Sequence, residues 1–583
     1  MLSEAIAMQG SVATRAALLR NSFHCLRSLN CGEFRSRSLA PSSSELLRSS
    51  VEIFRSQVAE FAPYSTAVPA GKPIQVQLRI LKKDEHGLRD KLIPASSWRV
   101  LTRLLDAGYR SYLVGGSVRD MLVKQVPKDF DILTTAEPKQ VKAAFSGRCI
   151  IVGRRFPVCH VTSLNTVVEV SSFSTNSGNI KRITYEPVVG TEGWSEDDFS
   201  RWDNSLRRDF TVNGIMYDPF KCIIYDYVGG LRDLRRCKIR TVIPALESFE
   251  EDSARILRAI RIAARLEFSF ATSTANAIRQ LKSSILTLNK TRLQLEVNTM
   301  MAYGSSERSV RLLWRYGVLE YLLPFQARQH FGLLARYFSN TNLKRQARRS
   351  DILLIIFKAQ SVCLVIYLVF FRSAFVAIQK LLANLDKVTA PNRPCHGGLW
   401  VAILAFHLAL VERPWSLTVG PTVALALSFG TGLEKAITQV QKLCDAVDKN
   451  GKHLWNDQFR SCVKEMDEVV ILNDCQSFVD LCLNNVAQLH SAAATCKVMQ
   501  ELNISSPPSD WGVVSKPYFY KANHLFNRAL TSNSDDFPDI VHDTYKGVLM
   551  NSSFSTNGGI EDLGNVFSHV VLSTLFPSVS SSL

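Results

Sequence analysis

Apolar residues are distributed in two regimes along the chain. Between Trp98 and about residue 240 they come in short runs broken by Gly, Pro and polar residues; beyond Pro244 they recur every three or four positions. In the first regime, Ser96 to Ala107 carries Val100, Leu101, Leu104 and Leu105 on one side, which predicts a helix. Tyr112-Leu113-Val114 predicts a short strand ended by Gly115-Gly116, and Val118 to Val123 restarts as a helix. Phe130 to Leu133, Ile150 to Val152, His160 to Thr162 and Val167 to Val170 predict further short strands. In the second regime, Ser248 to Leu266, Ala275 to Leu286, Arg292 to Ala302 and Ser309 to Leu319 all show helical spacing. The pattern describes an α/β head followed by a long all-α body.

Two segments stand apart from this pattern. Ile352 to Phe371 is the most apolar stretch, but Lys358 and Gln360 interrupt it, and Val362 to Phe371 alone is too short to cross a bilayer. It reads as a buried helix, with a membrane segment or an inserted or mis-joined segment as the alternatives, and no integral membrane association is favoured. Residues 1–75 are different again. Ala5 to Gly32 contains no acidic residue, while Arg15, Arg20 and Arg27 recur among Ala, Leu and Ser, and a Ser-rich stretch follows. That composition predicts an organellar address, mitochondrial or plastid, since the apolar core of a secretory signal is missing. A disordered N-terminus, with the protein in the nucleus or cytoplasm, is the alternative.

Composition narrows the class. A chain of 583 residues with 46% hydrophobic and 21% charged residues is globular and long enough for roughly three or four compact units. Its 13 cysteines include no C-x-x-C pair, so they read as reduced, buried side chains and not as a zinc ribbon or a redox motif. The net charge of +17 is concentrated. Residues 76–350 hold 44 Lys+Arg against 27 Asp+Glu, while the two flanks balance at +3 and −3. A basic block of this kind attracts polyanions.

The chemistry begins with Asp129-Phe130-Asp131. On a strand both carboxylates project to one face about 7 Å apart, and Phe130 points into the opposite layer. Such a pair can share two divalent cations, which at about 4 Å separation hold an attacking oxygen and a leaving phosphate. Upstream, a strand that stops at Gly115-Gly116-Ser117 and turns into a helix exposes backbone N–H groups suited to a triphosphate. Further on, a helix through Asp252 places Arg255, Arg258, Ile262 and Arg265 on one face. Asp252 can accept from an exocyclic amino group while Arg255 donates to the neighbouring ring acceptor.

Taken in order, these motifs resemble a known family. Gly115-Gly116-Ser117-Val118-Arg119-Asp120, Lys128-Asp129-Phe130-Asp131-Ile132, Arg207-Arg208-Asp209-Phe210-Thr211-Val212-Asn213, Asp226 with Gly229-Gly230-Leu231-Arg232-Asp233-Leu234, and Glu251-Asp252-Ser253-Ala254-Arg255-Ile256-Leu257-Arg258 are similar to the class II RNA nucleotidyltransferases. That family comprises the bacterial-type poly(A) polymerases and the CCA-adding tRNA nucleotidyltransferases. Arg292-Leu293 with Glu296, then Leu322-Leu323-Pro324, resemble its neck ending. The resemblance covers residues 98–325. It implies an α+β, polymerase-β-like nucleotidyltransferase head, a small mixed sheet with helices, followed by an all-α neck, body and tail. The corresponding division is a transit-like or disordered N-terminus (1–75), the head (76–240), a helical neck for nucleotide selection and RNA binding (241–345), and a helical C-terminal body and tail (346–583).

The resemblance also implies roles. Asp129 and Asp131 are the catalytic pair and hold two Mg2+ ions. Gly115, Gly116, Ser117, Arg119, Arg208, Asp209, Asn213, Asp252, Arg255 and Arg258 bind the nucleotide. ATP is the implied substrate, with CTP as well if the chain adds CCA, and the acceptor is an RNA 3′ end, whether mRNA, other RNA or tRNA. Ile150 to Phe156, followed by His160-Val161, resembles the poly(A) branch, although Pro157, Cys159 and Ser174 depart from it. Arg154, Arg155, Lys344, Arg345, Arg348 and Arg349 are candidates for the RNA backbone. The expected activity is template-independent adenylate transfer to RNA. The alternatives are CCA addition and, from another class, a catalytically silent RNA-binding protein on the same fold. His542-Asp543 lacks accompanying ligands and reads as structural.

Overall fold

The computed structural model describes residues 78–88, 90–153, 157–173, 193–329, 376–412, 415–430, 432–444, 457–465, 467–505, 507–508, 511–531 and 559–575. Eight strands form one mixed sheet in the order β1-β8-β7-β2-β3-β6-β5-β4. They are β1 (Arg79–Leu81), β2 (Ser111–Val114), β3 (Asp131–Thr134), β4 (Cys149–Val152), β5 (Val158–Ser163), β6 (Thr166–Ser172), β7 (Met216–Asp218) and β8 (Ile223–Asp226). Every pairing is antiparallel except β3 with β6, which run parallel. A separate parallel pair joins β9 (Lys238–Ile239) and β10 (Ser269–Phe270).

Side-chain alternation sorts the sheet into two buried faces. Leu113, Ile132, Val170, Cys159 and Val161 pack on one face with Val100, Leu101 and Leu104 of α1 (Ala95–Asp106). Tyr112, Val114, Leu133, Met216 and Tyr225 pack on the other, with Trp202 and Leu206. Between β2 and β3 runs α2 (Gly116–Leu122), and α3 (Pro138–Ala144) follows β3. Trp202 and Leu206 come from α4 (Glu196–Leu206), whose Ser195 caps the start through its hydroxyl and Asp198 N–H. Arg201 anchors this aromatic layer. Its guanidinium donates to Tyr227 Oη (2.8 Å), Tyr112 Oη (3.0 Å) and Asp198 Oδ1 (2.6 Å). After β8, Asp226 accepts from the N–H groups of Val228, Gly230 and Leu231 and so fixes the start of α5 (Gly230–Arg235).

Helices dominate beyond residue 244: α6 (Ala245–Glu251), α7 (Ala254–Leu266), α8 (Thr272–Leu281), α9 (Lys290–Ala302), α10 (Ser306–Arg315), α11 (Gly397–Glu412), α12 (Val419–Phe429), α13 (Glu468–His490), α14 (Lys516–Leu530) and α15 (Ile560–Leu575). Three of the expected helices change. The stretch Ser248 to Leu266 is not one helix: it breaks at Asp252, whose extended backbone (φ −150°, ψ 99°) separates α6 from α7. Asp252 therefore does not share a helix with Arg255. Ala275 to Leu286 ends as α-helix at Leu281 and continues as a 3₁₀ turn over Lys282–Thr287. Ser309 to Leu319 stops at Arg315, and a short separate turn, Leu319–Leu322, follows.

The centre of the C-terminal half is α11, apolar all round and buried from Gly397 to Ala409. Its sequence carries no amphipathic stripe because other helices cover every side. The Lys- and Arg-free end of the chain contributes α15, whose Val566, Phe567 and Val570 pack into the same core. Among the described residues no helix is long and apolar enough to cross a membrane. Residues 1–77, Arg154, Arg155, residues 344–371 and His542-Asp543 lie outside the described residues.

Candidate active site

Strand β3 begins at Asp131, so Asp129 sits in the two residues leading into it and not on the strand itself. The expected alternation holds nonetheless. Phe130 is buried in the core under the sheet, Asp129 is exposed, and Asp131 is partly covered. Asp131 lies on the same face as Leu133. The parallel register Ile132↔Val170 brings Glu169 alongside Asp131, and His160 stands opposite Glu169 on β5 with Nε2 3.6 Å from Glu169 Oε1. Burial, and after it the negative charges of Glu169 and Asp129, push the Asp131 carboxyl up to about 6 against the opposing pull of Arg208.

The Gly turn meets this acidic patch. Val114, the last residue of β2, is paired with Asp131. Gly115 then takes φ +72°, ψ −136°, a conformation reserved for glycine, and a Cβ there would lie 3.6 Å from Asp131 Oδ2 and 3.8 Å from Arg208 Nη1. Gly115, Asp131 and Arg208 thus surround one space. Arg208 reaches it from the end of α4, steadied by Asn204 Oδ1 at 3.2–3.3 Å, and burial draws its pKa down while Asp131 and Asp209 oppose that. The Ser117 side chain is buried, and its hydroxyl donates to Val114 O (2.9 Å), closing the turn from within.

Arg119, Asp209, Asn213 and Arg258 lie behind the space, in one chain of contacts. Arg119 is buried and donates to Asp120 Oδ1 (2.8 Å) and to Asn213 Oδ1 (2.6 Å). Asn213 Nδ2 donates to Asp209 Oδ1 (2.8 Å), and Arg258 Nη1 donates to Asp209 Oδ2 (3.2 Å). Burial alone would raise the Asp209 carboxyl; Arg258, Asn213 and the Phe210 N–H outweigh it and hold it low. Arg265 Nη2 meets Asp120 Oδ2 at 3.0 Å, and Glu296 takes Arg258 and Arg261 on its two oxygens. The basic stripe of α7 is therefore paired: Arg258 and Arg265 tie the helix to two acids of the head. These ties were not visible in the sequence beyond the helical spacing of the arginines.

The base-reading pair lies at the α6–α7 break. Asp252 Oδ1 accepts from the Ala254 N–H (3.1 Å), and Oδ2 from Arg292 Nη2 (2.8 Å). Burial pushes the Asp252 carboxyl up, but Arg292 prevails and keeps it low. Arg255 Nη1 is held by Glu251 Oε2 (2.7 Å) and by Ser248 O and Oγ (3.2 and 3.1 Å). Both side chains are oriented by neighbours rather than directed at each other. Among the described residues, no set of three or more His, Cys, Asp or Glu side chains forms a ready metal cage.

Comparison with known proteins places these elements. Residues 111–240 match the poly A polymerase head domain, and residues 267–329 match the family described as "Probable RNA and SrmB- binding site of polymerase A". Poly(A) polymerase I of Escherichia coli is 33% identical over 266 residues, 45% of this chain and 55% of that protein. The same enzyme of Haemophilus influenzae is 30% identical over 248 residues, 42% of this chain and 55% of that one. A CCA-adding enzyme of Staphylococcus aureus is 32% identical over 238 residues, 41% of this chain and 57% of that one. The match thus spans little more than half the length of each relative. The solved structure of the Bacillus stearothermophilus CCA-adding enzyme in complex with CTP superposes loosely, at a TM-score of 0.37 and 20% identity, over 75% of this chain and 92% of that one.

Proposed function

We propose that the chain is a template-independent nucleotidyltransferase that moves adenylate from ATP to RNA 3′ ends. The observation that carries this reading is the convergence of Asp131 and Arg208 on the Gly115 turn, with Glu169 beside Asp131, inside a segment that matches a poly A polymerase head. The division into head (76–240), neck (241–345) and C-terminal body and tail (346–583) belongs to the same proposal, as does organellar import by the N-terminal segment.

The donor set suits Mg2+. That ion is held by one or two carboxylates plus substrate phosphate oxygens and does not require an all-protein cage. Asp129 and Asp131 supply the carboxylates, and a divalent cation would offset the burial and then the neighbouring negative charge that together raise the Asp131 carboxyl. When bound, the metal pair would acidify the RNA hydroxyl and neutralise the departing pyrophosphate. The protein's own groups do the rest. Gly115 and Gly116 let the backbone approach the triphosphate, and Arg208 faces its negative charge. Arg119, Asn213 and Asp209 hold Arg258 and the turn in register. Asp252 and Arg255 present an acceptor and a donor to the base edge, at the cost of loosening Arg292 and Glu251.

CCA addition is the second reading, supported by the Staphylococcus aureus relative. The experiment supplies purified protein with ATP or CTP separately, with oligo(A) RNA and with tRNA lacking its 3′ end. Long A tracts from ATP alone are expected. Stopping after C, C and A would assign CCA addition, and no extension of either RNA by folded protein would leave the silent RNA-binding reading. Asp129→Ala and Asp131→Ala should each abolish extension with RNA binding intact.

A further inference from the structure

Head, neck and body meet beside the catalytic loop, and the side chains at their junction have a common character. Lys128, one residue before Asp129, lies with Nζ 4.7 Å from the centre of the Tyr303 ring at the end of α9. The neck is tied to the body there: Cys395 N–H donates to Ala302 O (3.0 Å) and Trp400 Nε1 donates to Asn298 Oδ1 (3.1 Å). Those bonds place His396 and α14 next to Tyr303. His396 meets Tyr518 edge to face at 5.6 Å, and the Tyr518 ring lies so close over the start of α11 that a Cβ on Gly397 would come within 2.5 Å of it. Lys521 follows on the same side of α14, its stem over Gly398. Burial, and after it the nearby Tyr303 phenol, raise the Tyr518 pKa, which agrees with the two rings being neighbours.

We propose that the single-stranded RNA just upstream of the reacting 3′ end lies across this ribbon, its bases on Tyr303 and Tyr518 and its phosphates on Lys128 and Lys521. The inference rests on the nucleotidyl-transfer reading, which sets the 3′ end at Asp129 and Asp131. Three features point to RNA as the occupant. The ribbon is continuous with the catalytic loop through Lys128, its two ends are cationic, and its middle is aromatic. Base–aromatic stacking contributes about 1–3 kcal/mol per base, whereas an exposed Lys over a ring contributes about 0.5–1 kcal/mol. A base can therefore take the Tyr303 face from Lys128, and the released ammonium passes to the adjoining phosphate. Lys128, at 43% side-chain exposure, gives up in that move only a solvent-screened ion pair with Asp129 Oδ2 at 3.8 Å.

The test reads binding alone. Fluorescein-labelled oligo(A) of about 15 nucleotides is titrated into the full chain in EDTA without nucleotide, so the outcome stands whether or not the protein extends RNA. Tyr303→Leu and Tyr518→Leu should each weaken binding about 5- to 100-fold, while Tyr303→Phe and Tyr518→Phe retain it. Lys128→Gln with Lys521→Gln should lower the salt slope by about 1.4, at 0.7 per phosphate contact on a single strand. Circular dichroism confirms that each variant is folded. The proposal is overturned if folded Leu variants bind as the parent does, if the Phe variants lose as much as the Leu variants, or if the double Gln variant keeps its slope. A blunt RNA hairpin bound as tightly as oligo(A) would also overturn it, because the ribbon would then not be reading single strands.

Discussion

A carboxylate that is buried and stands beside other carboxylates costs the folded protein stability, and Asp131 provides a measurable case. Its carboxyl is raised from 3.8 to about 6 by burial, then by Glu169 and Asp129. The sign follows from linkage. Below pH 3.8 the group is protonated in both folded and unfolded chains and costs nothing. Above pH 6 it is ionised in both, and the full cost applies. A shift of about 2 units corresponds to about 3 kcal/mol, an upper figure because Asp131 is only partly covered and water screens it. Asp131→Asn removes the ionisation and nearly preserves the shape. In EDTA the Asn variant should therefore be more stable than the parent, by about 1–3 kcal/mol at pH 7.5 and about half that at pH 5. Urea unfolding followed by circular dichroism at the two pH values measures the difference. Adding Mg2+ should stabilise the parent and leave the variant almost unchanged, since only the parent retains both carboxylates. An Asn variant no more stable than the parent at pH 7.5, or a gain that does not shrink at pH 5, would refute the reasoning.

Other consequences can be tested in the same way. Gly115→Ala forces a side chain into a positive-φ position beside Asp131; it should cost about 1–3 kcal/mol and weaken ATP binding, read by thermal melts with and without ATP. Arg265→Leu leaves Asp120 buried with only Arg119 and should cost about 3 kcal/mol, with Asp120→Leu in the same chain recovering part of the loss; additive losses in the double variant would show that the pair does not couple. Asp226→Asn exchanges one acceptor oxygen for a donor facing backbone N–H groups and should cost about 2 kcal/mol in denaturant unfolding. Arg255→Ala removes a base-edge donor, and its ratio of ATP to CTP incorporation should move toward unity when single-nucleotide extension is measured.

Several parts of this molecule were legible in the chain because their causes are local. Five strands of the head, β2 to β6, follow from short apolar runs and lie within about two residues of their expected places, whereas β1, β7 and β8 were not expected. The Gly115 turn and the two aspartates are neighbours in sequence before they are neighbours in space, so their chemistry could be read directly. Phe130 points into the core and Asp129 away from it for the same reason: a side-chain period of two. By contrast, α11 is apolar on every side and gave no periodic signal, while the more conspicuous Ile352 to Phe371 lies outside the described residues.

Which charges are free to act is a different matter. Arg119, Arg258 and Arg265 looked alike as members of a basic block, yet the fold pairs Arg119 with Asp120 and Asn213, Arg258 with Asp209 and Glu296, and Arg265 with Asp120. Asp252 left the helix expected of it and found Arg292, 40 residues away. The sequence by itself determined the local conformations and the types of group available, because backbone sterics and side-chain period act over a few residues. Only the tertiary structure decided which of those groups face the site and which are spent as braces. That choice depends on long-range packing, where a buried charge must find a partner wherever the chain brings one.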